Sequence, residues 1–438
     1  MKEDEMHFVD FPEIKLTIQG MEEVGVPRMM KVRQIYDKNR IEDIEGWIRK
    51  ELENKLPEEQ KASFAGKRIC ITVGSRGIPS ADVIVKTVLD WLKEKGAAPF
   101  IVPAMGSHGG GTAEGQKEFI AGYGITEESM GVPILSSMEV VKLGELEDGT
   151  PVYCDRYAYE SDGIIVFNKI KPHTDFRGKH ESGLVKMCAI GLAKHIGASY
   201  FHMMGFPTFA DRIPKVAKMF LEKAPIAFGL GVVQNAYDEI SELEIIPDDQ
   251  IMERDEELLK IAKQKIANFK MKDIDVLIID EIGKNISGNG HDPNITGRSN
   301  SQGFEDVLDC KKMFVRGLTE VSHHNACGLS AADMTTRRVM NDIDLDVTWT
   351  NVVTATMLNG AKLPMYMNND SEAIKVCIRT CNGIDFGKAK IVRIANTAEM
   401  EDILVSEAYY DELKDRRDIE ILSEPFEMQF DKEGYLFD

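Results

Sequence analysis

What the chain lacks sets the first bounds. No apolar run approaches the roughly 18 residues that span a bilayer; its apolar stretches are short, Gly163 to Phe167 among them. The opening Met1-Lys2-Glu3-Asp4-Glu5 is acidic and no apolar segment follows it, so no secretory leader is expected. Positive charge is scarce: 53 Lys and Arg stand against 73 Asp and Glu, a net charge of −20. Such a field repels nucleic acid and anionic membranes, which are not expected partners. An anionic substrate would have to be met by local Arg, Lys or backbone N–H groups. Cysteine is sparse too, with seven residues (70, 154, 188, 310, 327, 377, 381), odd in number and scattered. That usage fits reduced, buried thiols in a cytoplasmic protein. Cys377 and Cys381 stand one helical turn apart, but no second Cys/His pair at metal spacing accompanies them, so packing is their expected role. There is no internal repeat and no low-complexity segment.

What is present is α/β alternation. At 438 residues, two domains are the expectation. Residues 1–65 are amphipathic and charged, with Ile41 to Leu56 reading as a surface helix. Arg68 to Val73 predicts a strand, Asp82 to Lys95 a helix with apolar residues at Val85, Val88, Leu89 and Leu92, and Pro99 to Pro103 a second strand. Strand, helix, strand is a βαβ unit and implies a parallel sheet. Further strands are expected at Gly163–Phe167, Ile226–Val233, Val276–Asp280 and Ile391–Ile394, with a helix over Asp255–Phe269. The expected architecture is two α/β domains with mixed or largely parallel sheets flanked by helices, the active site in the cleft between them. Residues 1–270 form the cofactor-binding, catalytic domain and 271–398 the substrate-contacting domain; 399–438 is a tail packing back on the first. The acidic runs Glu253–Glu257 and Glu399–Asp402 read as solvated helix faces.

In open α/β sheets, sites form beyond the carboxyl ends of strands. The unusual residues cluster there. Eight of nine histidines lie between His108 and His324, and five of them between His108 and His202. Thr72-Val73-Gly74-Ser75-Arg76-Gly77 follows the first strand, and Arg76 reads either as a phosphate grip through its planar fork or as an exposed arginine on a tight turn. Gly106-Ser107-His108-Gly109-Gly110-Gly111-Thr112 follows the second and opens a helix near Ala113. It matches neither a Walker A loop nor a true G-x-G-x-x-G fingerprint. Its backbone N–H groups could hold an anion, and its glycines bare His108; the plain reading is a turn.

The third segment runs Lys171-Pro172-His173-Thr174-Asp175-Phe176-Arg177-Gly178-Lys179-His180-Glu181-Ser182-Gly183-Leu184-Val185-Lys186 and continues to His202. Lys186 stands among Leu184, Val185, Met187, Ala189 and Ile190. Desolvation there would make its amine available for covalent bonding; snorkelling to the surface is the alternative. On a helix over 191–204, His195 and His202 would share a face.

This ordered set of motifs resembles the nickel-dependent lactate racemase family. It comprises Ser-Arg, Gly-Ser-His-Gly, Pro-His, Ser-Gly-x-x-Lys and then a histidine sixteen residues on. The resemblance implies a nickel-pincer nucleotide, a pyridinium-3,5-bisthiocarboxylic acid mononucleotide, held covalently by Lys186. It implies nickel bound by the pyridinium carbon, two sulfurs and His202, a donor set suited to Ni(II). Hydride chemistry then belongs to the cofactor, and position and protons to the protein. Arg76 is implied as a phosphate contact, and His108 and His173 as the acid/base pair. Three extra residues between Pro-His and Ser-Gly-x-x-Lys leave His180 as a rival to His173. Val73 and Ile190 stand where the family usually has aspartate and proline.

The expected second domain opens with Asp280 and a polar loop carrying Lys284, Asn285, Ser287, His291, Asp292, Asn294 and Arg298. Here the tyrosine, glutamine and lysine cluster of lactate racemases is missing, and the loop resembles a separate subgroup of nickel-pincer isomerases. Lys284, His291, Asn294 and Arg298 are the expected substrate contacts, Arg298 as carboxylate clamp; a surface turn is the alternative. Ser322-His323-His324-Asn325 with Asp333 could face the same cleft. The expected function is racemisation or epimerisation at the carbinol carbon of a 2-hydroxy acid or sugar acid. The expected partners are that small-molecule substrate and the enzymes that build the cofactor. A nicotinamide- or zinc-dependent oxidoreductase and a non-catalytic nucleotide- or metal-binding carrier are the alternatives.

Overall fold

The computed structural model describes residues 9–75 and 77–437. The chain divides into two compact units, one continuous (Asp37–Ile266) and one built from both ends of the chain (Met1–Tyr36 with Ala267–Asp438). Among the described residues, no helix is long and apolar enough to cross a membrane.

The continuous unit is built on a five-stranded sheet. Its order is Ala98–Pro103, Arg68–Val73, Gly163–Lys169, Ile226–Gln234 and Ile240–Pro247. The first four strands run parallel and the last antiparallel. Five of the six residues of Arg68–Val73 are buried, as a strand covered on both faces requires. Alternate residues serve the two faces. Ile69, Ile71 and Val73 pack with Val85, Leu89 and Leu92 of the helix Ala81–Glu94. Cys70, with Val102 and Val166, meets Leu184, Val185, Met187 and Phe209 on the other face. That second face carries the segment holding Lys186. The chain leaves Arg68–Val73 to one side and returns at Gly163–Lys169 on the other, a topological switch point where α/β sheets bind ligands.

The other unit carries an eight-stranded mixed sheet. Met365–Met367, Met334–Thr336, Asp309–Val315, Asp273–Ile279 and Ile391–Ile394 pair in parallel. Asp402–Ser406, Met29–Gln34 and Ile419–Ile421 extend it antiparallel. Two expectations are corrected here. Residues up to Tyr36 belong with this unit, not with the first domain. The segment after 398 is no tail on the first domain, since Asp402–Ser406 and Ile419–Ile421 flank Met29–Gln34, with Met29 opposite Ser406 and Val32 opposite Ile421. Local periodicity cannot reveal a ladder between opposite ends of a chain.

Candidate active site

Four segments of the continuous unit converge on one hollow of about 70 Å³, lined by Gly74, Met105, His108, Asn168, Ser182 and Lys186 together with Met187 and Gly191. Gly74 follows Arg68–Val73, Met105 follows Ala98–Pro103, and Asn168 lies near the end of Gly163–Lys169. The packing is close enough to demand glycine. A Cβ at Gly191 would stand 2.4 Å from Met187 Sδ and 2.8 Å from the Ala104 carbonyl oxygen.

The His108 loop is a chain of left-handed residues, with Gly106, Gly109, Gly110 and Gly111 at φ of 62°, 65°, 66° and 65°. Only glycine takes such a run without strain. His108 Nδ1 lies 2.8 Å from the Met105 carbonyl oxygen. A carbonyl can only accept, so Nδ1 carries the hydrogen and Nε2 is the acceptor nitrogen of the neutral ring.

Lys186 ends the short helix Leu184–Lys186. The buried Asp255 carboxylate holds the start of that helix, accepting from the backbone N–H of Leu184 at 2.6 Å and from His180 Nδ1 at 2.9 Å. The acidic run Glu253–Glu257 predicts a solvated face, but Asp255 within it is 1 % exposed. A π-helical stretch, Met187–Gly191, follows Lys186. Such bulges often mark functional positions. The helix Lys194–Met204 then carries His202.

Lys186, His173 and His202 gather on aromatic rings. Lys186 Nζ stands 5.8 Å from the Phe176 ring centre. The His173 ring lies 4.5 Å from Phe176 and 6.1 Å from Phe206, and the His202 ring 5.7 Å from Phe206. Burial pushes the His202 pKa down, and the Lys186 ammonium adds to that shift while Asp175 opposes it. A neutral imidazole is the form that ligates metal. His173 is buried, and its Nδ1 accepts the Asp175 backbone N–H at 3.0 Å. The neutral ring therefore carries its hydrogen on Nε2, the reverse of His108. Glu181 fixes this loop by accepting from the His173 and Gly178 backbone N–H groups. His195 is exposed beside Ser199. Arg76 lies outside the described residues.

The structure engages the 283–298 loop largely with itself. Lys284 Nζ donates to the Gly288 carbonyl oxygen at 2.5 Å. Asn294 Nδ2 donates to Asp292 at 2.7 Å. His291 is buried, its Nδ1 is 3.1 Å from Thr296 Oγ1, and burial pushes its pKa down to about 4. Arg298 donates to the carbonyl oxygens of Cys310 and Lys311 and pairs with Asp333 at 3.1 Å. Those carbonyls lie at the amino end of Asp309–Val315, away from the carboxyl end where sites form. At the carboxyl ends of that sheet sits a polar crevice of about 760 Å³, lined by Asp280, Glu281, Arg316, Arg338 and Asp342. Of Ser322-His323-His324-Asn325, only His324 meets a carboxylate there, Asp342 at 2.8 Å.

The donor chemistry fits a covalently held, metal-bearing nucleotide. Lys186 opens on the hollow, and His202 is biased to its neutral form. Ser182 Oγ, buried at the hollow, has no hydrogen-bond partner among the described residues. No three His, Cys, Asp or Glu side chains of the described residues converge as a metal site, so a metal here would draw most donors from a bound group. At about 70 Å³ the hollow is smaller than an ordinary ligand pocket, and a nucleotide would extend out of it.

Comparison with known proteins accords with this arrangement. Residues 13–209 match the lactate racemase N-terminal domain. The fold resembles the lactate racemase apoprotein of Thermoanaerobacterium thermosaccharolyticum, with 16% identity, a TM-score of 0.51, and 84% of this chain and 99% of that one covered. A protein from Thermotoga maritima aligns at 15% identity and a TM-score of 0.47, covering 82% of this chain and 96% of that one. Comparison with curated proteins gives no match. Residues 13–209 are thus similar to a lactate racemase N-terminal domain, and the fold over most of the chain resembles that of the lactate racemase apoprotein.

Proposed function

We propose that this protein is an isomerase that racemises or epimerises a 2-hydroxy acid or sugar acid at its carbinol carbon, using a nickel-pincer nucleotide linked to Lys186. The observation that carries the reading is the gathering of Lys186, His173 and a neutral-biased His202 on one aromatic platform, beside a hollow that His108 and Lys186 line together. Bound there, such a group supplies a reversible hydride acceptor, with His202 as the protein's ligand to its metal and Arg76 as a phosphate contact.

The protein's own residues handle protons and position. A substrate hydroxyl must give up its proton as the carbinol carbon loses hydride and regain it on return. His108 Nε2 is the acceptor that takes it on one hand, and His173 exchanges it on the other. Their opposite neutral tautomers give one ring a lone pair and the other an N–H at Nε2, so acid and base are both in place before reaction. Phe176, Phe206 and Phe209 shield the site from water and strengthen each charge interaction within it. In the 283–298 loop Lys284, His291, Asn294 and Arg298 all have partners inside their own unit, so a substrate contact from any of them would have to displace one.

The test is intact-mass analysis after co-production with cofactor-building enzymes, with a chiral assay on hydroxy acids. A nucleotide-sized adduct on the Lys186 peptide with interconversion of enantiomers or epimers is expected. An adduct that survives Lys186→Ala, or a loaded protein that interconverts no hydroxy acid, overturns the reading.

A further inference from the structure

Lys194 is fully buried and sits at φ +54°, a backbone conformation ordinarily left to glycine. It stands just after the π-helical turn that follows Lys186. A buried lysine in a left-handed conformation persists only where its surroundings hold it, and such residues concentrate at functional sites. What holds it is specific. Its Nζ donates to the Pro103 carbonyl oxygen at 2.5 Å and to Gln116 Oε1 at 3.3 Å, and it pairs with Asp155 Oδ2 at 3.0 Å. Asp155 is fully buried too, close to Cys154 and Cys70.

The network leads to His108. Gln116 is fully buried, and its Nε2 donates to the carbonyl oxygens of Gly106 at 2.8 Å and His108 at 3.2 Å. Those carbonyls bracket the turn that bares the His108 ring. Lys194 also fixes which way the Gln116 amide faces. An ammonium can only donate, so it takes the amide oxygen, and both amide N–H groups are left for the two carbonyls. Pro103, the third partner, ends the strand from which the loop departs. A loop of four left-handed glycines has little stiffness of its own. It stands at one height above the strand only if something ties its carbonyls.

We propose that Lys194 is a positioning residue for His108. Acting through Gln116, it sets where the His108 ring stands over the hollow and so the geometry of proton transfer. The proposal rests on the reading of His108 as an acid/base group. Burial lowers the pKa of Lys194 and raises that of Asp155, each opposed by attraction to the other, so the pair is held by its mutual contact. A pair meant only to support the fold would have no need to orient an amide whose donors end on the backbone of Gly106 and of His108, a candidate acid/base residue.

The test uses full-length protein and two variants. Gln116→Glu keeps the shape and the acceptor facing Lys194 but removes both N–H donors. Lys194→Met combined with Asp155→Asn removes the ammonium without leaving a lone buried charge. In cofactor-free protein, the carbon-bound ring signal of His108 should shift or broaden in both variants by nuclear magnetic resonance. In loaded protein, the Lys186 adduct should remain, kcat should fall by about 10–100-fold and KM should change little, as a displaced proton-transfer group predicts. A His108 signal and kcat at wild-type values in both variants would overturn the proposal. Should wild-type protein carry no adduct or turn nothing over, the isomerase reading fails, and the His108 signal alone then decides this one.

Discussion

His180 Nδ1 lies 2.9 Å from the buried Oδ2 of Asp255, whose other oxygen holds the backbone N–H of Leu184 at 2.6 Å. His180 is thereby tied to the cap of the helix that ends in Lys186, whereas His173 faces Phe176 and Phe206 beside His202. The two histidines left open by the sequence thus have different surroundings, and on the proposed function His180 supports the lysine while His173 exchanges protons.

The first prediction separates them. His173→Ala should keep the Lys186 adduct and lose turnover by about 10²–10⁴-fold, the usual scale of a general acid/base group. His180→Ala should instead lower the melting temperature and the fraction of protein carrying the adduct, because Asp255 loses a partner in a buried site. Turnover and intact mass on both variants check this. An inactive His180→Ala with full loading would reverse the assignment.

The parts of this site that were readable in the sequence solve a local backbone or chemical problem in place. The glycines around His108 announce a backbone that only glycine takes, and all four have positive φ. The run from Ile69 to Val73 is rich in β-branched residues and is buried on both faces. Asp255 was not readable, because its neighbours Glu253, Glu256 and Glu257 make it look like one more solvated charge; its burial depends on a helix packing against residues 180–185. Lys194 and Asp155 were equally silent, since a buried ion pair has no sequence signature until both partners are placed. Arg298 misled for the converse reason: an arginine in a polar loop looks like a clamp, and here its fork meets backbone carbonyls.

His202 carries the second prediction. Burial holds its pKa below the ordinary 6.5, and that cause remains in loaded protein, where the linked Lys186 no longer carries an ammonium. The ligating form therefore survives to lower pH than in an ordinary histidine. Nickel retention by loaded protein should persist as pH falls through 6.5 and decline only below it. His202→Ala should lose most nickel at every pH while circular dichroism stays unchanged. Nickel content by mass spectrometry across pH decides it, and wild-type stoichiometry in His202→Ala would remove the residue from the site.

Arg298 gives the third. Its guanidinium spans two carbonyls and Asp333, a fork that lysine cannot reproduce. Arg298→Lys should cost about 1–2 kcal/mol of stability and leave the ranking of hydroxy acid substrates unchanged. Denaturant unfolding and a substrate panel from lactate through malate to aldonic acids read both. A changed ranking with unchanged stability would restore Arg298 as a carboxylate clamp.

The fourth concerns acid stability and rests on His291. It is 1 % exposed, and burial depresses its pKa from 6.5 to about 4. The folded state therefore holds the ring neutral where the unfolded chain would protonate it. With the unfolded state binding more protons, stability falls as pH falls. The contribution is fully present above about 6.5 and is lost progressively down to about 4, below which both states are protonated. The size of the loss is up to about 3 kcal/mol, from 1.36 kcal/mol per pKa unit. His291→Gln keeps a polar group near Thr296 Oγ1 and removes the titration. It should start less stable than wild type at pH 7 because a tightly packed ring is gone. Between pH 6.5 and 4 its stability should fall less steeply than that of wild type, so the two curves converge. Urea unfolding at half-unit pH steps measures the slopes. Parallel curves across that window would mean that His291 titrates alike in both states, and that its burial does not hold the ring neutral.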